Sequence, residues 1–94
     1  MSTDTLDPVI MRRVQRAAET HYTPSRIGFL ELLDAMGENG RNVSQLAAEF
    51  SLSRGTVRAM ADALVAIRAA RIQRGPGHST IYRANLDDLE VIFS

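Results

Sequence analysis

The chain has 94 residues, no cysteine, 11 basic and 11 acidic residues, and a formal net charge of zero. This length allows one domain with a modest core, and the missing cysteine excludes disulfides, thiolate metal sites and cysteine catalysis. No apolar run approaches the roughly 20 residues that cross a membrane, and the polar, acidic start does not fit a signal peptide, so we expect a cytoplasmic protein with a disordered tail at 1–7.

Two helices are predicted in the first part of the chain, each starting at a proline. A helix is expected over 8–22, because Asp7 can cap it and Pro8 is tolerated in the first helical position. A second helix is expected from Pro24 to about Met36. Its apolar residues surround much of its circumference, which predicts a central, buried helix.

A short helix, a tight turn and a longer helix are predicted over 43–68. Asn42 and Gln45 have the spacing of a capping box, and Ser53 follows the turn as the cap of the longer helix. The apolar period of 3.6 residues in the longer helix would bury arginines beyond Ile67. We therefore expect this helix to end near residue 68.

The apolar period then changes to two, which predicts a β-hairpin over 70–84 with strands at 70–74 and 80–84 joined by a turn at 75–78. Asn85 is expected to cap a last helix over 86–93. Eight residues are too few for a stable isolated helix, so this helix must pack on another surface, for which a second subunit is a natural candidate.

The order α-α-α-turn-α-β-β-α predicts a mainly α fold with a small β-hairpin, the winged helix-turn-helix. We expect one domain over 1–94. Its parts are dimerisation helices at 8–22 and 86–93, a helix-turn-helix at 43–68 and a wing at 70–84.

Three groups of side chains are candidates for DNA contact. The first turns of the helix after Ser53 are expected in the major groove, with Arg54 or Arg58 bonded to guanine and Gly55 permitting close backbone approach. The start of the preceding helix and the wing are candidates for phosphate or minor-groove contact. The full set is Ser44, Gln45, Ser53, Arg54, Gly55, Thr56, Arg58, Arg74, His78, Ser79 and Thr80.

Each group also has a structural interpretation that does not involve contact with DNA. The arginines after Ser53 fit a solvated helix face with an Arg58–Asp62 pair, and the wing residues fit a disordered hairpin tip. Arg41 and Arg83 are weaker candidates, since either could pair with an acidic neighbour.

Five segments resemble, in the same order, those of ArsR-type winged-helix regulators. They lie at 22–33, 43–47, 52–57, 81–83 and 86–89, and they open with the family's Pro-Ser-Arg-aliphatic segment before a leucine-rich helix. The central stretch is also similar to MarR- and GntR-type winged helices. The resemblance implies a regulator of transcription.

Two departures from this family bear on function. Metal-sensing members use cysteines or a terminal-helix histidine, whereas this chain has no cysteine and its last helix has acids but no histidine. We therefore expect no metal and no other cofactor. The link between Leu64 and the wing is about two residues longer than in the family and lacks its helix-ending glycine.

Catalysis is not expected, since the sequence contains neither a phosphate-binding glycine loop nor a catalytic triad order. The sequence predicts a cytoplasmic homodimer that binds double-stranded DNA and represses transcription, with no membrane partner and no indicated effector. Residues 41–83 carry seven arginines against two acids, so the zero net charge conceals a basic segment. Alternatives are a DNA-segregation protein of plasmids or phages and a winged helix used only for protein contacts.

Overall fold

The computed structural model describes residues 7–23, 26–75 and 80–93, which are mainly helical with one antiparallel three-stranded sheet. The predicted combination of helices with a small β-hairpin is confirmed. The elements are α1 (Pro8–Glu19), α2 (Phe29–Met36), β1 (Arg41–Asn42), α3 (Val43–Phe50), α4 (Arg54–Ala66), β2 (Ala70–Arg74), β3 (Thr80–Ala84), a 3-10 turn (Leu86–Asp88) and α5 (Leu89–Phe93). The predicted tail, except Asp7, and most of the hairpin turn lie outside the described residues.

Helix α1 starts as predicted but ends earlier. The Asp7 carboxylate accepts a hydrogen bond from the backbone N–H of Val9 at 2.7 Å. The prediction that the helix continues to residue 22 is wrong. It ends at Glu19, because the Thr20 hydroxyl donates to the Ala17 carbonyl at 2.6 Å and closes the last turn.

Helix α2 starts later than predicted. Its first residue is Phe29, after an extended Gly28, and a start at Pro24 is wrong because residues 26–28 are not helical. Glycine disfavours helix, and the Arg26 guanidinium donates to the Ser51 carbonyl at 2.5 Å, which ties this segment to the end of α3. The predicted burial of α2 is confirmed, since four of its eight residues are buried: Phe29, Leu32, Leu33 and Met36.

A three-residue turn joins α3 to α4, as predicted. Ser51 takes a left-handed conformation with φ 54°, and the N–H of Leu52 donates to the Ala47 carbonyl at 3.0 Å. Leu52 is half-buried. Helix α4 ends at Ala66 rather than near residue 68.

The link from α4 to the sheet contains a left-handed backbone position that favours glycine, but arginine occupies it. Arg68 adopts a φ of 67°. The backbone N–H of Arg68 donates to the Val65 carbonyl at 3.0 Å, and the backbone N–H of Ala69 donates to the Leu64 carbonyl at 2.9 Å. These two bonds form a Schellman motif, whose left-handed position is usually glycine. An arginine thus occupies the strained turn that starts the hairpin.

The sheet has the order β1-β3-β2, with Arg41 opposite Tyr82 and Arg74 opposite Thr80. The hairpin strands have their predicted bounds, whereas the two-residue β1 was not predicted. Gly40, with φ 85°, permits this pairing, because a Cβ there would overlap the side chain of Ile81. β1 thereby joins the start of α3 directly to β3.

The chain end packs on the rest of the same chain. Asn85 does not cap the last helix as predicted; its amide donates instead to the Arg68 carbonyl at 2.9 Å. Leu86 and Leu89 are buried, and α5 packs on α1. This intramolecular packing supplies the surface that a short last helix requires.

Candidate functional site

The starts of α3 and α4 and the strand β3 enclose a groove of about 460 Å³. It brings together five of the eleven residues predicted to contact DNA: Ser44, Arg54, Gly55, Arg58 and Thr80. Asn42, Val43 and Tyr82 also line it, and none of these described lining residues is acidic. We refer to it as the arginine groove.

The start of α3 is held by a reciprocal cap, as predicted. The Asn42 side chain accepts from the N–H of Gln45 at 2.8 Å, and the Gln45 side chain accepts from the N–H of Asn42 at 3.0 Å. Gln45 therefore serves the helix start and does not line the arginine groove, whereas Ser44 is exposed and does.

The start of α4 is also held by a predicted cap. Ser53 Oγ accepts from the N–H of Thr56 at 3.1 Å and donates to Thr56 Oγ1 at 2.8 Å. The two hydroxyl groups hydrogen-bond to each other, and neither Ser53 nor Thr56 lines the arginine groove. Of the predicted contacts, Ser53 and Thr56 thus have a structural role in shaping the helix start.

Arg54 and Arg58 stand one helical turn apart on α4, and both are exposed. Gly55 lies between them, and beyond its chain neighbours and the backbone of α4 itself no heavy atom lies within 4 Å of the position that a Cβ would take there. The groove therefore combines two guanidinium groups, an open stretch of backbone and the N-terminal ends of two helices. Helix N-terminal ends and guanidinium groups both favour anionic ligands.

Tyr82 is a groove residue that the sequence analysis did not select. It is only 1% exposed, and its hydroxyl donates to Asp62 Oδ1 on α4 at 2.6 Å. Burial, the hydrogen bond to Asp62 and the charge of that carboxylate raise the pKa of Tyr82 to about 12, against the opposing effect of Arg58. The signal in the sequence was an inward-facing tyrosine in a strand, whose hydroxyl requires a partner.

The predicted wing contacts are only partly brought to the groove. Thr80 lines it, while Arg74 lies opposite Thr80 on the neighbouring strand without lining it. His78 and Ser79 lie outside the described residues.

The two weaker candidates have partners elsewhere. Arg41 pairs with Glu49 at 3.1 Å, as anticipated for an arginine beside an acidic neighbour. Arg83 donates to the backbone carbonyl of Glu38 at 2.9 Å and to the Gln73 side chain at 3.3 Å. Neither arginine lines the arginine groove.

Among residues 7–23, 26–75 and 80–93, no cluster of three or more histidine or carboxylate side chains is arranged to hold a metal ion. The same residues contain no helix long and apolar enough to cross a membrane.

Comparison of the chain with models of protein families, with curated proteins and with solved structures finds no match.

Proposed function

We propose that this chain is a winged helix-turn-helix protein that binds double-stranded DNA sequence-specifically, as a cytoplasmic homodimer that represses transcription. In this proposal α3 and α4 form the helix-turn-helix, and β2 and β3 form the wing. The observation that carries it is the arginine groove, where Arg54 and Arg58 meet the starts of two capped helices and a strand of the hairpin.

The proposed mechanism inserts the start of α4 into the major groove. One of the two exposed arginines bonds to the O6 and N7 atoms of guanine, a contact worth about 1–3 kcal/mol of discrimination. Ser44 and the N-terminal ends of the helices meet phosphates. Thr80 and Arg74 of the hairpin contact the backbone or the minor groove beside them.

Two copies related by a two-fold axis would bind a palindrome whose half-sites lie about 10–11 base pairs apart. Occupation of such a site within a promoter would exclude polymerase, which is how binding alone represses transcription.

Selection from random duplexes tests this proposal. We expect a palindrome to be enriched, and Arg54→Ala to lose sequence preference more than non-specific affinity. Arg12→Ala is the matched control, because Arg12 is exposed on α1 outside the arginine groove.

One result would revise the role of Arg54, and two would replace the proposal. Equal loss on all duplexes would make Arg54 a phosphate contact. Cooperative enrichment of tandem repeats would favour DNA segregation. Absence of any shifted duplex together with no retention on heparin would favour a protein-interaction module.

A further inference from the structure

Helix α4 carries one acidic residue, Asp62, among its 13. Asp62 lies one turn beyond Arg58 and two turns beyond Arg54, which corresponds to about 6 Å and about 12 Å along the helix axis. Its side chain is exposed. Since residues four apart are neighbours on a helix surface, α4 presents two arginines from its start and then a carboxylate.

A buried tyrosine holds this carboxylate at the edge of the arginine groove. The Tyr82 hydroxyl donates to Asp62 Oδ1 at 2.6 Å, and Tyr82 itself lines the groove. Arg58 acts on the same hydroxyl, since its charge opposes the rise in the pKa of Tyr82 that burial and Asp62 cause. The carboxylate is therefore fixed near Arg58 by a neutral phenol, although the residue is exposed to solvent.

The charge of Asp62 is not cancelled by an ion pair. The spacing of Asp62 from Arg58 would allow one, but no ion pair in the part of the chain that the structure describes includes Asp62. A hydrogen bond from a phenol stabilises a carboxylate without removing its negative charge. The edge of the groove thus keeps a fixed negative charge beside a surface whose other features favour anions.

Such a carboxylate affects two modes of DNA binding differently. In the proposed sequence-specific mode the start of α4 enters the major groove, and Asp62 stays two turns back from it. In a non-specific mode arginines follow the phosphates, and a helix that lies along the DNA backbone brings Asp62 against the same row of phosphates. Like charges repel within the screening distance, about 8–10 Å at physiological salt. The carboxylate therefore penalises the non-specific complex more, and a penalty on the wrong complex raises discrimination.

We infer that Asp62 is a specificity-determining residue and that Tyr82 is the positioning residue that holds it. Asp62 lowers the affinity for DNA of the wrong sequence and does not contact the right one. This inference rests on the proposed binding of double-stranded DNA by the arginine groove. It gives Asp62 a role other than the helix-surface pair with Arg58 that the sequence allows.

Asp62→Asn removes the charge but keeps the size of the side chain and an oxygen that accepts from Tyr82. Fluorescence anisotropy measures the dissociation constants for the selected palindrome and for a random duplex. The random duplex should bind about tenfold more tightly than it binds the wild type, roughly threefold for each copy, and the palindrome about twofold. The ratio of the two affinities should therefore fall about fivefold at low salt and less at high salt, because salt screens the charge.

Glu31→Gln is the matched control for the change in net charge. Glu31 is also an exposed acid, but it lies on α2 and does not line the arginine groove. Its substitution should leave the affinity ratio unchanged. Asp62→Glu keeps the carboxylate, so its ratio should stay near that of the wild type.

Tyr82→Phe tests the positioning role, because it keeps both charges and removes the hydroxyl that holds Asp62. The random duplex should bind about twofold more tightly while the palindrome gains nothing. A role of Tyr82 in folding alone would instead weaken both duplexes together, and thermal melts report the stability of each variant separately.

Each result bears on the inference in a defined way. An unchanged affinity ratio in Asp62→Asn would overturn it and leave the proposed function standing. An equal gain with Glu31→Gln would also overturn it, because net charge would then be the cause. Weaker binding of the palindrome by Asp62→Asn would make Asp62 a direct contact to a base. A wild-type chain that binds no duplex would overturn the proposed function and this inference together.

Discussion

Tyr82 shows how a single buried side chain joins two parts of the molecule. Its strand β3 carries Thr80 into the arginine groove, while its hydroxyl reaches Asp62, one turn beyond Arg58 on α4. The phenol thus fixes the distance between the hairpin and the helix that carries both groove arginines. If the groove binds DNA, this bond sets how the two elements approach it together.

The raised pKa of Tyr82 predicts a specific alkaline behaviour. In a Tyr22→Phe chain, where Tyr82 is the remaining tyrosine, phenolate absorbance should titrate near pH 12, above the ordinary value of 10. Between these values the folded state holds a proton that the unfolded state has lost. The free energy of unfolding is therefore unaffected by this group below pH 10 and falls as the pH rises toward 12.

Asp62→Asn provides the control for that titration. Burial is the largest cause of the shift and the carboxylate the next, so the substitution should lower the midpoint only partly toward 10. An unchanged midpoint would show that Asp62 does not hold the phenol in solution.

Arg68 is the residue at which the sequence departs furthest from the local geometry. It adopts φ 67°, a conformation that costs a residue with a Cβ roughly 1–2 kcal/mol. Arg68→Gly removes this cost but adds freedom to the unfolded chain. We expect a net gain of about 0.5–1 kcal/mol, and so a Tm higher by a few degrees, measured by circular dichroism.

Arg68→Ala separates backbone strain from charge. It removes the same guanidinium but keeps a Cβ in the left-handed position, so no gain is expected at equal protein concentration. If alanine stabilised as much as glycine, charge rather than backbone conformation would be the cause.

At the scale of elements, the starts of α1, α3 and α4 and the hairpin strands were predictable because local hydrogen bonds determine them. The cap at Asp7, the reciprocal cap of Asn42 with Gln45 and the cap at Ser53 depend on residues within three positions of each other. The same locality makes the two strands of the hairpin readable from their alternation.

What could not be predicted depends on contacts distant in sequence. β1 is a strand only because Gly40 lets its two residues lie against β3, some 40 positions later. The late start of α2 involves the bond from Arg26 to Ser51. At the candidate site, the groove forms only because α3, α4 and β3 lie together, and this placement could not be read from the sequence. Tyr82 was therefore missed.

Helix α4 gives a prediction that separates stability from binding. Gly55 lies in its first turn with open space where a Cβ would stand, so Gly55→Ala should stabilise the fold by about 0.5–1 kcal/mol through helix propensity. The added methyl group projects where DNA backbone would approach, so duplex affinity should fall. Thermal melts and fluorescence anisotropy measure the two effects.

Gly28→Ala is the matched change outside the groove, where a Cβ would make only an ordinary contact of 3.8 Å with Gln15. It should leave duplex affinity unchanged. If Gly55→Ala bound DNA as tightly as the wild type, the first turn of α4 would not be the approaching surface.

Over the whole molecule, charge distribution matters more than net charge. Residues 41–83 carry seven arginines and two acids, the preceding residues four arginines and six acids, and the following residues three acids. Within the basic segment, Arg41 and Arg71 pair with carboxylates and Arg83 bonds to oxygens of its own chain. Arg68 is also exposed but lies beyond the opposite end of α4 from Arg54. The remaining three, Arg54, Arg58 and Arg74, are exposed toward the proposed DNA face or the hairpin beside it.

The three arginines at the proposed DNA face predict how strongly DNA binding depends on salt, although the net charge of the chain is zero. Three such arginines in each of two copies allow at most about six phosphate contacts, and fewer when one arginine of each copy reads a base. The slope of log affinity against log salt should therefore be about −3 to −5.

Arg74→Ala should reduce the magnitude of this slope by about 2 in the dimer, equally for specific and random duplexes, since a phosphate contact carries no sequence information. Arg12→Ala, on the exposed face of α1, should leave the slope unchanged. A slope near zero in the wild type would mean that net charge, and not the basic segment, governs association.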